Sequence, residues 1–98
     1  MNEKIRDEKI DNLFRAILEL QDLEECYAFF EDLCTVAELQ EMSKRLLAAK
    51  LLKDDHVYTD IAERTGLSTA TISRVNRCLL YGAGVYGKIL GKLEEKND

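Results

Sequence analysis

The feature that constrains this chain most is a twenty-residue segment, YTDIAERTGLSTATISRVNR, in which two short helical patterns meet at one glycine. The apolar or inward positions on the two sides of Gly66 follow the spacing of a helix face, and they are Ile61, Thr65, Ile72, Val75 and Leu79. Gly66 can take the positive φ that a tight turn needs, and Leu67 is placed to fill that turn. The segment therefore predicts a helix-turn-helix over about residues 58–80.

The second helix of this motif has an outer face that suits the major groove of DNA. Its first turn carries small side chains whose hydroxyl and methyl groups can touch phosphates, base edges or a thymine methyl. Arg74 and Arg77 can reach phosphates or guanine, and the helix N-terminus favours a phosphate. We expect DNA to be contacted by Thr59, Ser68, Thr69, Ala70, Thr71, Ser73, Arg74 and Arg77.

The rest of the chain also has helical patterns. The apolar spacing, the capping boxes Asp22–Glu25 and Thr35–Glu38, and the helix-ending glycines predict six helices, at about residues 7–20, 22–33, 35–53, 58–65, 68–80 and 86–96. We expect an all-α fold and a single domain over residues 1–98. The apolar arc of the third helix is wide, which indicates packing on several neighbours or on a partner chain.

Two short segments interrupt the helical patterns. Asp54, Asp55 and His56 form a loop between the third and fourth helices, and we interpret the lone histidine as a loop residue rather than a catalyst or a metal ligand. Gly82, Gly84 and Gly87 predict a flexible joint before the last helix.

The charge of the chain is unevenly distributed. The net charge is −5, and residues 1–42 hold 4 basic against 12 acidic side chains, whereas residues 43–98 hold 10 basic against 7 acidic ones. No acidic residue lies between Arg64 and Leu93. Because phosphate contacts depend on the local face, this pattern keeps nucleic acid open as a partner.

Several classes of protein are disfavoured by the sequence. No apolar run approaches the roughly 20 residues of a membrane helix, and the N-terminus lacks the apolar stretch of a secretory signal. The three cysteines, Cys26, Cys34 and Cys78, have no CxxC spacing, so we expect free thiols that act as small buried apolar residues in the cytoplasm. No metal site and no nucleophile–base pair is suggested, so we do not expect an enzyme.

The segments EECYAFFEDLCT, ELQEMSKRLLAAKLL and YTDIAERTGLSTATISRVNRCLLYG resemble the Trp repressor superfamily and, within it, the small YerC/YecD-type Trp repressor-like proteins of bacteria. The resemblance covers roughly residues 10–95. It implies a six-helix subunit in an intertwined homodimer, in which the N-terminal helices and the last helix interlock with the partner.

The resemblance also implies a position for a small ligand. In the Trp repressor, tryptophan lies between the central helix and the DNA-reading helix, which the stretch STATISRVNRCL resembles. Its pocket matches Thr35, Arg45, Arg74, Val75 and Cys78 here. The repressor has a glycine at the position of Val75 and a serine at that of Cys78. The β-branched side chain of Val75 would fill the space that the tryptophan ring occupies, and the thiol of Cys78 is a poor hydrogen-bond partner.

We therefore expect no cofactor, with tryptophan or another small effector as the alternative. Arg45 and Arg74 have a second interpretation, as partners of the surface acids Glu38, Glu41 or Glu63. The predicted function is a dimeric, sequence-specific regulator or repressor of transcription that binds double-stranded DNA without tryptophan. The alternative is a helix-turn-helix module that docks on a protein partner through its acidic N-terminal half.

Overall fold

A computed structural model describes residues 3–96 of the chain. These residues form a short 3-10 turn (Glu3–Ile5) and six α-helices without a strand: α1 (Glu8–Leu18), α2 (Leu23–Leu33), α3 (Val36–Lys53), α4 (Tyr58–Thr65), α5 (Thr69–Tyr81) and α6 (Val85–Lys96). The all-α, six-helix prediction is confirmed. The 3-10 turn was not predicted, and α1 ends two residues before the predicted end.

The starts of α2 and α3 follow from their capping residues. The Asp22 carboxylate accepts a hydrogen bond from the Glu25 N–H at 2.8 Å, but Glu25 itself accepts from the N–H of Gln21 at 2.7 Å, one residue earlier than a capping box requires. Thr35 and Glu38 form the complete box, with reciprocal bonds of 3.1 and 2.9 Å. The hydrogen bond from the Thr35 N–H, and then that from the Thr35 side chain, lowers the pKa of the Glu38 carboxyl.

The chain divides into two compact units, Met1–Leu39 and Gln40–Asp98. No residue among 3–39 is buried. Phe14 and Leu18 of α1 are 51% and 80% exposed, and Leu23 and Tyr27 of α2 are 70% and 62% exposed. The apolar stripes predicted for these two helices therefore exist, but the described part of this unit has no buried core.

The second unit has a core of its own. Its buried apolar residues come from the last turns of α3, from α4, α5 and α6, and from the turn between α4 and α5, and they are Ala48, Ala49, Leu51, Ile61, Leu67, Ile72, Val75 and Leu90. Ile61 and Ile72 are fully buried. The inward positions predicted for the helix-turn-helix are confirmed, except that Leu79 is only half-buried because it lies near the exposed end of α5.

The turn between α4 and α5 is fixed by two residues. Gly66 ends α4 with φ +76°, and its N–H donates to the carbonyl of Ala62 at 2.8 Å. The buried Thr65 hydroxyl donates to the Ile61 carbonyl at 2.7 Å and accepts from the Leu67 N–H at 3.1 Å. The hydroxyl thereby satisfies backbone groups on both sides of the turn, and the predicted helix-turn-helix is confirmed.

The joint between α5 and α6 is shorter than predicted. Gly82 ends α5 at a point where a Cβ atom would collide with the Cys78 carbonyl, and Gly84 has φ +86°. A side chain at either position would be strained, so both positions favour glycine. Gly87 lies inside α6, so its assignment to the joint was wrong. None of the described helices is long and apolar enough to span a membrane.

The loop between α3 and α4 is tied to both helices by a small polar network. The backbone N–H of His56 donates to the Leu51 carbonyl at 3.0 Å, and Nδ1 of His56 lies 2.7 Å from Oδ2 of Asp60. Asp60 also accepts from Nε of Arg64, at 3.1 Å from each carboxylate oxygen. The hydrogen bond from His56, and then that from Arg64, lowers the pKa of the Asp60 carboxyl. His56 is a loop residue, as predicted.

The lowered pKa of Asp60 gives a testable dependence of stability on pH. Because the folded state favours the ionised carboxylate, its contribution is present above the unfolded value of about 4 and is lost as the pH falls through the folded value. We expect Asp60→Asn to be less stable than the wild type near neutral pH, and the difference to shrink below about pH 4. Urea unfolding at one fixed protein concentration measures this difference.

Glu63→Gln is the matched control, because it removes a carboxylate of the same helix that forms no ion pair within the described residues. A wild-type-to-variant difference that stays constant across the acid range for Asp60→Asn would contradict the assignment.

Candidate nucleic-acid interface

The outer face of α5 is exposed over its whole length. The predicted contact residues that the structure places there, open to solvent, are Thr69, Ala70, Ser73, Arg74 and Arg77. Ser68 caps the helix by accepting the Thr71 N–H at 3.1 Å. This cap leaves the first turn of α5 at the surface, next to the loop that follows α4, so the helix N-terminus can be approached from solvent.

Thr71 is placed differently from its predicted neighbours. It is half-buried, and its hydroxyl accepts a hydrogen bond from the Ser68 hydroxyl at 3.0 Å. Its own hydroxyl proton stays available for a second bond. Thr71 therefore belongs to the cap and to a small cavity behind the helix as much as to the outer face.

The arginines of the second unit differ in their partners. Arg64 pairs with Asp60, and Arg45 lies 3.5 Å from Oε1 of Glu41. Within residues 3–96, neither Arg74 nor Arg77 forms an ion pair, and α5 carries no acidic residue. The two cations on the outer face of α5 are thus free to meet an external anion.

Thr59 lies apart from this face, in the first turn of α4. It is exposed, and the N-cap position Val57 provides no side-chain hydrogen bond to the free N–H groups of that turn. Asp60 and Glu63 on the same helix carry negative charge, and Arg64 balances the charge of Asp60. The positive field of the motif is therefore concentrated on α5, with Thr59 at its margin.

A small cavity lies behind α5. It measures about 80 Å³ and is lined by Arg45, Thr71, Arg74, Val75, Cys78 and Tyr86. The structure thus brings together four of the five predicted pocket residues, while Thr35 lies in the first unit, where it caps α3. Val75 is 5% exposed and also packs in the core. Tyr86 was not predicted, since a residue of α6 gives no sequence signal for this cavity.

Arg45 is held within its own helix. Its Nε and one terminal nitrogen each lie 3.5 Å from Oε1 of Glu41, four residues earlier. Nε is shielded from solvent and donates no hydrogen bond of good geometry. The interpretation of Arg45 as a partner of a surface acid is confirmed for Glu41, whereas Arg74 has no such partner in the described chain.

A larger groove of about 420 Å³ borders the α5–α6 joint and was not predicted. It is lined by residues 82–85 together with Leu46, Cys78, Tyr86 and Ile89. Cys78 is exposed, so its interpretation as a small buried apolar residue was wrong, because α5 turns this position towards the groove. Cys26 and Cys34 are half-buried, and all three thiols are free.

The sequence and the fold of this chain are similar to those of known proteins. The family model described as Trp repressor protein matches residues 8–94. The chain is 50% identical to the protein YerC of Bacillus subtilis (strain 168) over 95% of its own length and 89% of that protein. It is also similar to a TrpR-like protein from Eubacterium eligens of known crystal structure, with 49% identity, a TM-score of 0.89, and coverage of 95% of this chain and 96% of that one. With its helix-turn-helix and the capped helix α5, this chain therefore belongs to the Trp repressor family.

Proposed function

We propose that this protein is a cytoplasmic, dimeric regulator of transcription that binds double-stranded DNA through α5. The observation that supports this most is the outer face of α5, which is exposed, carries no carboxylate, and holds two arginines without an ion-pair partner among residues 3–96. Membership of the Trp repressor family supports the same assignment.

The order of residues along α5 suits a helix that enters the major groove by its N-terminal end. Thr69, Ala70 and Ser73 are small, so the backbone of the first turns can approach the bases closely. Arg74 and Arg77 follow at positions where guanidinium groups can reach phosphates or guanine. Because the polar groups at the tip are short hydroxyls, part of the recognition would pass through water and DNA shape.

Arg77→Ala tests the phosphate contact. We expect weaker binding to all duplexes, because the variant can no longer neutralise the phosphate that Arg77 would meet. The slope of log K against log salt should become shallower by roughly one, as expected for a single phosphate. The measurement is a fluorescence anisotropy titration at several salt concentrations, with a duplex selected from random DNA at about 0.15 M salt.

Arg64→Ala is the matched control, since the charge of Arg64 is already balanced by Asp60, and it should change the slope less. An unchanged slope for Arg77→Ala would remove its assigned role. If the wild-type protein enriched no duplex at all, the alternative of docking on a protein partner would be favoured instead.

The homodimer part of the proposal is supported by the first unit. None of its residues between 3 and 39 is buried, while Phe14, Leu18 and Leu23 expose half or more of their surface. A chain of this size buries only a modest share of its surface alone, so a second copy would supply the missing apolar contacts. Two reading helices could then meet half-sites about 34 Å apart.

Light scattering tests the dimer. We expect a mass twice the 11.2 kDa of the chain. Leu18→Glu should lower this mass, because it places a charge in an apolar contact, whereas Asn12→Glu adds the same charge at an exposed polar position of α1 and should not. A stable wild-type monomer at tens of micromolar would contradict the proposal.

The proposed activity does not depend on tryptophan. The cavity behind α5, which is lined by both arginines of the predicted pocket, measures about 80 Å³, well below the roughly 300–1,000 Å³ of typical small-molecule sites. The groove of about 420 Å³ shares Cys78 and Tyr86 with this cavity but is lined by neither arginine. Val75 fills space on the α5 side of the smaller cavity, and Arg45 already forms an ion pair with the carboxylate of Glu41. Within the subunit, α5 is thus supported by side chains of the protein itself.

We therefore expect no tryptophan binding. The chain contains no Trp, so the fluorescence of added tryptophan reports binding without background. A titration of tryptophan with protein should give no saturable change, and the same duplex motif should be enriched with and without tryptophan. Saturable binding at micromolar concentration, or enrichment only in its presence, would contradict ligand independence.

A further inference from the structure

We propose that Tyr81 is a phosphate-contacting residue that extends the DNA-binding face to the C-terminal end of α5. The proposal rests on the DNA-binding function proposed above and adds a residue to its site. Tyr81 was not among the predicted contacts, because a tyrosine at the end of an apolar-rich helix gives no sequence signal by itself.

The position of Tyr81 on the helix aligns it with the basic face. It is the last residue of α5, four residues after Arg77, seven after Arg74 and eleven after Ala70. These spacings place the four residues in one row along a helix face. At 1.5 Å per residue, the row runs for about 16 Å, close to the length of the helix itself.

The side chain of Tyr81 is open to solvent. It is 82% exposed, the largest fraction among the large apolar and aromatic side chains that the described chain leaves in solvent. Its hydroxyl forms no hydrogen bond within residues 3–96, and the side chain does not line the groove beside the joint. The aromatic ring of Tyr81 and its free hydroxyl donor are thus directed into solvent.

The charges around Tyr81 indicate which kind of partner it would contact. Arg74 and Arg77, the nearest charged residues of the row, have no ion-pair partner in the described residues. The sequence has no acidic residue from 65 to 93. A phenol hydroxyl donates readily to a phosphate oxygen, and tyrosine is among the side chains that bind the DNA backbone. The row therefore complements a polyanionic strand.

The direction of α5 fits the same role. A reading helix that meets bases with its N-terminal residues leaves the groove at its other end, where the sugar-phosphate backbone lies. Ala70 and Ser73 would face the groove, and Tyr81 the flanking strand. A contact of this kind positions the protein and carries no base preference.

Tyr81→Phe tests the proposal, because it removes only the hydroxyl. Tyr27→Phe is the matched control, since Tyr27 is a 62% exposed tyrosine on α2. Anisotropy titrations would use the selected duplex and a scrambled one, at several salt concentrations, with the mass followed by light scattering. We expect Tyr81→Phe to weaken binding to both duplexes about five- to twenty-fold. The salt slope should stay unchanged because a phenol is neutral, and so should the mass.

Equal affinity of Tyr81→Phe and wild type for both duplexes would overturn the proposal. So would a Tyr81→Ala variant that lowers the mass while Tyr81→Phe keeps full affinity, because Tyr81 would then be an apolar contact between copies. If the wild type bound neither duplex, both the proposed function and this inference would fail. If the wild type bound and Tyr81→Phe bound equally well, only this inference would fail.

Discussion

Ile61 of α4 and Ile72 of α5 are both fully buried in the apolar core of the second unit, and the contact between these two helices depends on that shared burial. The contact requires a short turn, and Gly66 makes it possible by adopting φ +76°, a conformation that a residue without a Cβ atom reaches without strain. The Thr65 hydroxyl then bonds the backbone on both sides of the turn, since it donates to the Ile61 carbonyl and accepts from the Leu67 N–H. Because these residues fix which side of α5 is buried, they also determine which side faces solvent.

Charge is distributed so that one face of an acidic protein is basic. Two arginines of the second unit are balanced inside their own helices, Arg45 by Glu41 and Arg64 by Asp60. Arg74 and Arg77 have no such partner within residues 3–96, so the local field of α5 is positive although the chain carries −5. Since phosphate binding depends on the field at the contact, the net charge does not oppose the proposed activity.

The helix-turn-helix could be predicted from the sequence because its signals are local: an apolar period, a glycine at the turn and a serine that caps α5. Exposure was harder to predict, since it depends on residues distant in sequence. Cys78 was expected to be buried and lines an open groove, and Thr71, predicted as a DNA contact, is half-buried against a cavity that also includes Tyr86. Gly87 continues α6 because helical contacts there outweigh its low propensity.

The two units of the chain differ in how much apolar surface they bury, and this difference bears on how the proposed dimer would work. The second unit buries eight apolar residues and can hold α4 and α5 in register on its own contacts. The first unit buries none among residues 3–39. If a second copy covers it, association would organise the N-terminal helices and set the distance between the two copies of α5, while the exposed face of α5 is already formed within one chain. Dimerisation would then govern the spacing of half-sites, and the side chains of α5 would govern the bases within each of them.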